Sequence, residues 1–386
     1  MQKRDPRKGQ GQGLIFSLFL SGLLVILAGC GTQATSAPTS GTSTQPYNLH
    51  VAYFPTAFPS EVIIKKEGLW KKYLPPGTTI TWDTEVIGPP IVANMLANKD
   101  QVGYLGDIPA FVATAKRSIA DIRVVETNLF SPAGELCDVL LVRANAPQFA
   151  NQQQALQWLN GKTIGVAGKG SCGDRFVTTL LKKEHITANV EYLDPTILLT
   201  SMKSGKIDAA QAFQPHIAQI VNEGVGRVVA TGGNFNDQDG WFIIMRKDFI
   251  DQHHAVAVGW IKADIAAWQF IKQHPHRAIR DWVSQAPGYT AKQLWMDLYG
   301  RLPASSGASR VKSIVQISFT PAVQSFAQAS FKFLYQDKIL PISQPLPGAL
   351  YPNLYQQAVK EMGVKLPLVT FVGQPASAFN PAKYGG

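Results

Sequence analysis

Between a β-branched run at 163–167 and an amphipathic stretch at 172–184 lies Gly168-Lys169-Gly170-Ser171-Cys172-Gly173-Asp174-Arg175. These residue types in this order suit the capture of an anion. Ser171 is a good helix N-cap, and Asp174 stands where the acidic member of a capping box belongs. The first N–H groups of the helix have no intrahelical acceptor, so they can point at a negative ligand, helped by the positive end of the helix dipole. Gly170 and Gly173 let a ligand approach the backbone closely. The plainer reading is a capped helix with no ligand. The Gly-Lys-[Ser/Thr] ending of a nucleotide-binding P-loop is missing.

Other loops share this design. Gly103-Tyr104-Leu105-Gly106-Asp107-Ile108-Pro109 closes a strand pattern and opens a helical one. Gly106 permits a tight turn and Asp107 can cap the helix. The loop with Tyr53, Thr56 and Ala57, and the loop with Gly88 and Pro89, hold equivalent positions after strands. In a doubly wound sheet, ligands bind beyond the carboxyl ends of the strands. Each loop alone is ordinary turn chemistry. Their recurrence points to a shared cleft. Trp241 can wall such a cleft, while Trp158, Trp260, Trp268 and Trp295 read chiefly as core. Arg175 can pair with Asp107 or Asp174 in a structural role, or grip an anion through its fork of donors. His253, His254, His274 and His276 lack metal-ligand spacing, so no metal or cofactor is expected.

The chain has three cysteines, Cys30, Cys137 and Cys172. Cys172 at a helix start has the setting of a lowered pKa, but a nucleophile needs a general base. The sequence marks none, and it has no Gly-x-Ser-x-Gly elbow, so no enzyme is expected. Outside the cytoplasm Cys137 and Cys172 can pair as a disulfide. Spacing alone does not choose between that pair and two small buried thiols.

Elements of two kinds must position these loops. Strand patterns at 49–53, 79–87, 101–105, 121–127 and 138–143 alternate with helical patterns at 60–73, 89–98 and 109–116. A second series follows, with strands at 163–167, 190–193, 207–212 and 227–230 and helices at 172–184, 195–204 and 215–223. From 249 the pattern turns mainly helical. Two α/β series in 386 residues, without a long linker, predict two doubly wound lobes that share hinge strands.

The N-terminus reads differently. Lys3, Arg4, Arg7 and Lys8 precede an apolar run at 14–28 that is too short to span a bilayer comfortably and ends in small residues. Leu27-Ala28-Gly29-Cys30 resembles a bacterial lipobox, which implies acylation of Cys30 and a membrane anchor. The Thr-, Ser-, Gly- and Pro-rich stretch that follows is a flexible tether. Loss of residues 1–29 lowers the formal charge of +10 to about +7. Basic runs interleaved with aromatics are missing, so nucleic acid is not an expected partner.

Taken in order, several stretches resemble solute receptors of the nitrate/sulfonate/taurine class of ABC importers. They are Gly88-Pro89-Pro90 with Met95-Leu96-Ala97, Gly103 through Ala110, Lys169-Gly170-Ser171, Tyr192-Leu193-Asp194-Pro195, and Ser204 through Ala210 running on to Gln214-Pro215. The resemblance implies a periplasmic-binding-protein type II-like α/β fold, with lobe 1 at 47–136, lobe 2 at 137–231, and the return to lobe 1 plus a helical extension at 232–386. It implies a monomeric extracytoplasmic receptor for a small anion such as an aliphatic sulfonate, taurine or nitrate. The partners would be an ABC permease with its ATPase. The implied ligand-binding residues are Tyr53, Thr56, Ala57, Gly88, Pro89, Gly106, Asp107, Ser171, Cys172, Gly173, Gln214 and Trp241. Two departures stand out. Cys172 replaces a common second serine, and Phe213-Gln214-Pro215 lacks the acidic residue of the usual Trp-Asp/Glu-Pro, which removes a partner for an amine. A neutral pyrimidine receptor, a Cys172-dependent enzyme and a ligand sensor for a signalling partner are the alternatives.

Overall fold

A computed structural model describes residues 45–384. The expected signal peptide and Cys30 lie outside the described residues, as does all but the end of the tether. The first series is β1 (Asn48–Tyr53), α1 (Pro59–Glu67), β2 (Thr79–Thr84), α2 (Gly88–Leu96), β3 (Val102–Gly106), α3 (Asp107–Ala115) and β4 (Ile122–Ser131). The second is β5 (Val139–Arg143), α4 (Gln152–Trp158), β6 (Thr163–Ala167), α5 (Cys172–Lys183), β7 (Asn189–Leu193), α6 (Leu198–Ser204), β8 (Ala209–Ala212), α7 (His216–Asn222) and β9 (Gly226–Thr231). The chain then continues through β10 (Asp239–Arg246), α8 (Lys247–Gln252), α9 (His254–Gln273), α10 (Pro275–Val283) and α11 (Ala291–Tyr299). It ends with β11 (Val311–Val315), α12 (Pro321–Gln336), α13 (Asn353–Met362), β12 (Val369–Val372) and α14 (Pro381–Tyr384).

Two sheets result. One runs β12-β11-β4-β10-β3-β1-β2 and the other β7-β6-β8-β5-β9. The chain leaves the first sheet after β4 and returns to it at β10, so two crossing segments, 131–139 and 231–239, join the lobes. Strand β10 lies antiparallel between β3 and β4. All eight of its residues are buried, as expected of a central strand covered on both faces. Helices α9 and α10 pack on α1, and α12 packs on α3, so the C-terminal helices cover the first lobe. Trp260, Trp268, Trp282 and Trp295 are fully buried there.

The C-terminal region is less purely helical than its pattern predicts. Residues 311–315 and 369–372 extend the first sheet as β11 and β12. Both runs are short, and Lys312 and Ser313 interrupt the apolar alternation that marks a strand. Local chemistry sets the helix starts nearer the cleft. Helix α1 opens with Pro59 at its first turn and stops at Gly68 in the left-handed region, φ 64°.

Candidate functional site

The loops that carry the sequence signals meet where the two sheets face each other. Phe58, Ile87 and Gly106 are the N-cap residues of α1, α2 and α3 in the first lobe, and Ser171 caps α5 in the second. All four line one small cavity, together with Ala57, Gly88 and Cys172. Four positive helix ends therefore converge on one point, which raises the local potential for an anion.

The rest of the wall is apolar: Phe54, Pro109, Phe213 and Trp241. Trp241 tilts against Phe58, with ring centroids 4.7 Å apart. The lobes are in contact around the cavity. A Cβ on Gly106 would lie 3.5 Å from Cys172 Sγ, and one on Gly168 would lie 3.3 Å from the Ile87 side chain. On another side His216 Nδ1 hydrogen-bonds Tyr289 Oη at 2.7 Å across the lobes. Burial pushes the His216 imidazole down to about 4, so it is neutral. The space left is about 20 Å³ for the centre of a water-sized body, room for roughly one water.

The 168–175 loop folds as its residues dictate. Gly168 and Gly170 both adopt the left-handed region, φ 78° and 74°. Ser171 Oγ accepts from Asp174 N–H at 3.3 Å and donates to the Gly168 carbonyl at 2.8 Å, while Asp174 accepts from Gly170 N–H at 2.9 Å. The Ser171 hydroxyl proton is thus committed to the loop. The donors left at this helix end are the first-turn N–H groups of Cys172 and Gly173, which have no intrahelical acceptor.

Arg175 explains how α5 is held. It is buried, and it pairs with Asp138 at 2.7 Å and Asp237 at 2.6 Å, one on each crossing segment, and with Asp107 of α3 at 3.5 Å. It also donates to the Gln238 carbonyl at 3.1 Å. Its role is structural: both terminal nitrogens are committed to these partners, while Nε has none among the described residues. Burial raises Asp107 to about 6 against the opposing pull of Arg175. Asp239 completes the junction by accepting the N–H groups of Leu136, Cys137 and Asp138 at 3.1, 2.6 and 3.2 Å, which ties one crossing to the other. Burial carries its carboxyl up to about 8 despite these donors.

Cys137 and Cys172 form a disulfide with Cα atoms 6.1 Å apart, joining the first crossing to the tip of α5. That pairing removes the free thiol a Cys172 nucleophile requires.

Of the predicted ligand residues, Ala57, Gly88, Gly106, Ser171, Cys172 and Trp241 come together in the cavity wall. The other six lie outside it. Tyr53 turns away to Trp82, ring centroids 5.7 Å apart, and accepts from Lys65 at 3.4 Å. Thr56 and Pro89 are half-buried in the turns beside Ala57 and Gly88. The Asp107 side chain faces the Arg175 cluster. Gly173 leaves space for Gln211, whose amide a Cβ would strike at 1.9 Å. Gln214 is buried, with its N–H on the Leu136 carbonyl at 2.8 Å. Sequence reasoning missed Phe54, Phe58, Ile87, Pro109 and Phe213 in the wall. It also missed Gln211, which bonds both Ala167 N–H at 3.1 Å and the Cys137 carbonyl at 2.7 Å. Phe54, Pro109 and Phe213 lie inside stretches already singled out, and Phe58 and Ile87 one position beyond them, so reading every residue of each loop and one neighbour would have found them.

Two α/β lobes, a double crossing and a cleft of strand-end loops define a type II-like periplasmic binding protein fold. Residues 133–284 match the NMT1-like family. The chain is 24% identical over 261 residues to a Bacillus subtilis (strain 168) protein named for aliphatic sulfonates binding, covering 67% of this chain and 74% of the relative. Its fold is similar to the periplasmic aliphatic sulphonate binding protein SsuA from Escherichia coli, with a TM-score of 0.63 and 20% identity over 81% of this chain and 100% of that one. The alkanesulfonate-binding protein SsuA from Xanthomonas axonopodis pv. citri, bound to MOPS, gives 0.63 and 19% over 80% and 99%. The periplasmic nitrate-binding protein NrtA from Synechocystis PCC 6803 gives 0.66 and 13% over 86% and 93%. The relatives matched in sequence and in fold are thus named for binding sulfonates or nitrate, and the likeness in structure is one of fold. Among the described residues no helix is long and apolar enough to cross a membrane.

Proposed function

We propose that this chain is the extracytoplasmic solute receptor of an ABC importer, anchored through Cys30, and that it captures an aliphatic sulfonate between its lobes. One observation carries the ligand class: four helix N-termini converge on a cavity whose other walls are Phe54, Pro109, Phe213 and Trp241. An anionic head matches the helix ends. An alkyl body matches the aromatic and aliphatic wall. Nitrate or bicarbonate would use the first feature and leave the second empty. Among the described residues no carboxylate lines the cavity to pair with an amine, so plain alkanesulfonates fit better than taurine. The cavity holds roughly one water, so the ligand enters when the lobes part at the crossing segments and is enclosed as they close. The same aromatic wall could stack a neutral pyrimidine, which is the competing reading.

A thermal-shift screen of the mature protein decides between them. Butanesulfonate at about 100 times its Kd should stabilise the protein by about 2.7 kcal/mol and raise Tm by several degrees. A shift with pyrimidines alone, or with nitrate alone, would overturn the sulfonate assignment.

A further inference from the structure

A second cluster lies in the first lobe, beside the early part of β1 and the loop that leads into β3, whereas the cleft lies beyond the carboxyl ends of these strands. His50 of β1, Asp83 of β2 and Asp100 of the loop between α2 and β3 place one ligand atom each within 4.8 Å of the others. His50 Nδ1 is 3.6 Å from Asp83 Oδ2. Asp100 is 1% exposed, and its Oδ2 has no hydrogen-bond partner among the described residues. A buried carboxylate oxygen without a donor is costly, and a second carboxylate beside it adds repulsion. Nothing in the anion-binding cleft accounts for this arrangement.

We propose that His50, Asp83 and Asp100 bind a divalent cation of the zinc type. A tetrahedral ion with bonds of about 2.0–2.2 Å spaces its ligand atoms roughly 3.4 Å apart, so side-chain rotations of about an ångström close the set. The imidazole selects Zn²⁺ over Ca²⁺ or Mg²⁺, which prefer oxygen ligands alone. Three protein ligands leave one position facing a solvent-open hollow rimmed by Tyr47, Asn98 and Lys99. The surrounding bonds hold the histidine. The His50 N–H donates to Gln101 Oε1 at 3.1 Å, and Asn48 Nδ2 lies 3.1 Å from His50 Nε2. Thr79 and Thr81 hydroxyls donate to Asn48 Oδ1 at 2.9 and 3.3 Å. Ligation through Nδ1 places the ring proton on Nε2. The Asn48 amide then turns to accept it, and the two threonine hydroxyls accept from Nδ2 in turn.

The test is isothermal titration of the untagged, chelator-stripped full chain with ZnCl2 alone, and then with CaCl2 alone. One equivalent of Zn²⁺ should bind with a Kd on the order of micromolar or tighter. His50→Ala and the isosteric Asp100→Asn, each shown folded by circular dichroism, should weaken it by more than about tenfold, since loss of even a supporting group costs that much. Wild-type affinity in both variants would place the ion elsewhere and overturn the site. Absence of Zn²⁺ binding at micromolar concentration would overturn it too, and Ca²⁺ binding as tight as Zn²⁺ would overturn the metal class.

Discussion

Two buried acidic clusters of this protein are solved in opposite ways. At the lobe junction Asp107, Asp138, Asp237 and Asp239 gather around one guanidinium, that of Arg175. Inside the first lobe Glu61, Glu126 and Asp264, all fully buried, meet no Lys or Arg among the described residues. That second cluster relies on protons and neutral donors. Asn128 Nδ2 donates to both Asp264 oxygens at 3.2 and 3.1 Å, and Tyr104 Oη donates to one of them at 3.3 Å. Burial, reinforced by the Asp264 charge, holds the Glu61 and Glu126 carboxyls well above the ordinary carboxylate range. Within one rigid lobe, discarding charge is the less costly solution. Where α5, α3 and two crossing segments must stay registered across a junction, a permanent cation with a planar fork gives direction that a shared proton does not.

This contrast breaks most visibly at Arg175. Arg175→Met should cost about 3–5 kcal/mol in urea unfolding, because the buried carboxylates lose the cation they share. A loss below about 1 kcal/mol would show that protons can replace the guanidinium at the junction as well. Next in size is the disulfide that reinforces the same junction. Replacing Cys137 and Cys172 together by serine should lower stability by about 2–4 kcal/mol, read from the same unfolding curves. The smallest effect is expected inside lobe 1. Glu126→Gln should stay within about 1 kcal/mol of wild type at pH 5, since glutamine keeps the volume and removes a carboxyl from an acidic cluster.

The pH dependence sharpens the point. Folded Glu126 keeps its proton above the ordinary value of 4.5. Its contribution to stability is therefore complete below about pH 4.5 and is lost as pH rises toward the folded value. The glutamine variant should lack that decline and overtake wild type in alkaline buffer. Parallel stability–pH curves would contradict protonation of Glu126.

Much of the architecture was legible because it rests on local chemistry. Ser171 and Asp174 announced the start of α5, Gly106 the start of α3, and the alternation of β-branched and amphipathic runs the two lobes. The apolar wall was not legible, since Phe54, Phe58 and Phe213 have the composition of core residues and only tertiary packing turns them toward a cleft. Of the partners of Arg175, Asp107 was legible, but Asp138 and Asp237 were not, since they meet it only after both crossings form. Cys137 and Cys172 were identifiable as a pair, but spacing could not say whether the bond forms. Strands β11 and β12 escaped because strands this short carry too few apolar positions to set a period.

The central claim is a cleft that reads a negative head and an apolar body together. Titrating the intrinsic tryptophan fluorescence of residues 45–386, to which Trp241 in the wall contributes, with methane-, ethane-, propane- and butanesulfonate tests it most directly. Burying each added methylene is worth about 0.8 kcal/mol, so affinity should rise about fourfold per carbon until the space between Phe54, Phe213 and Trp241 is filled. Affinity independent of chain length, or nitrate bound as tightly as butanesulfonate, would contradict it.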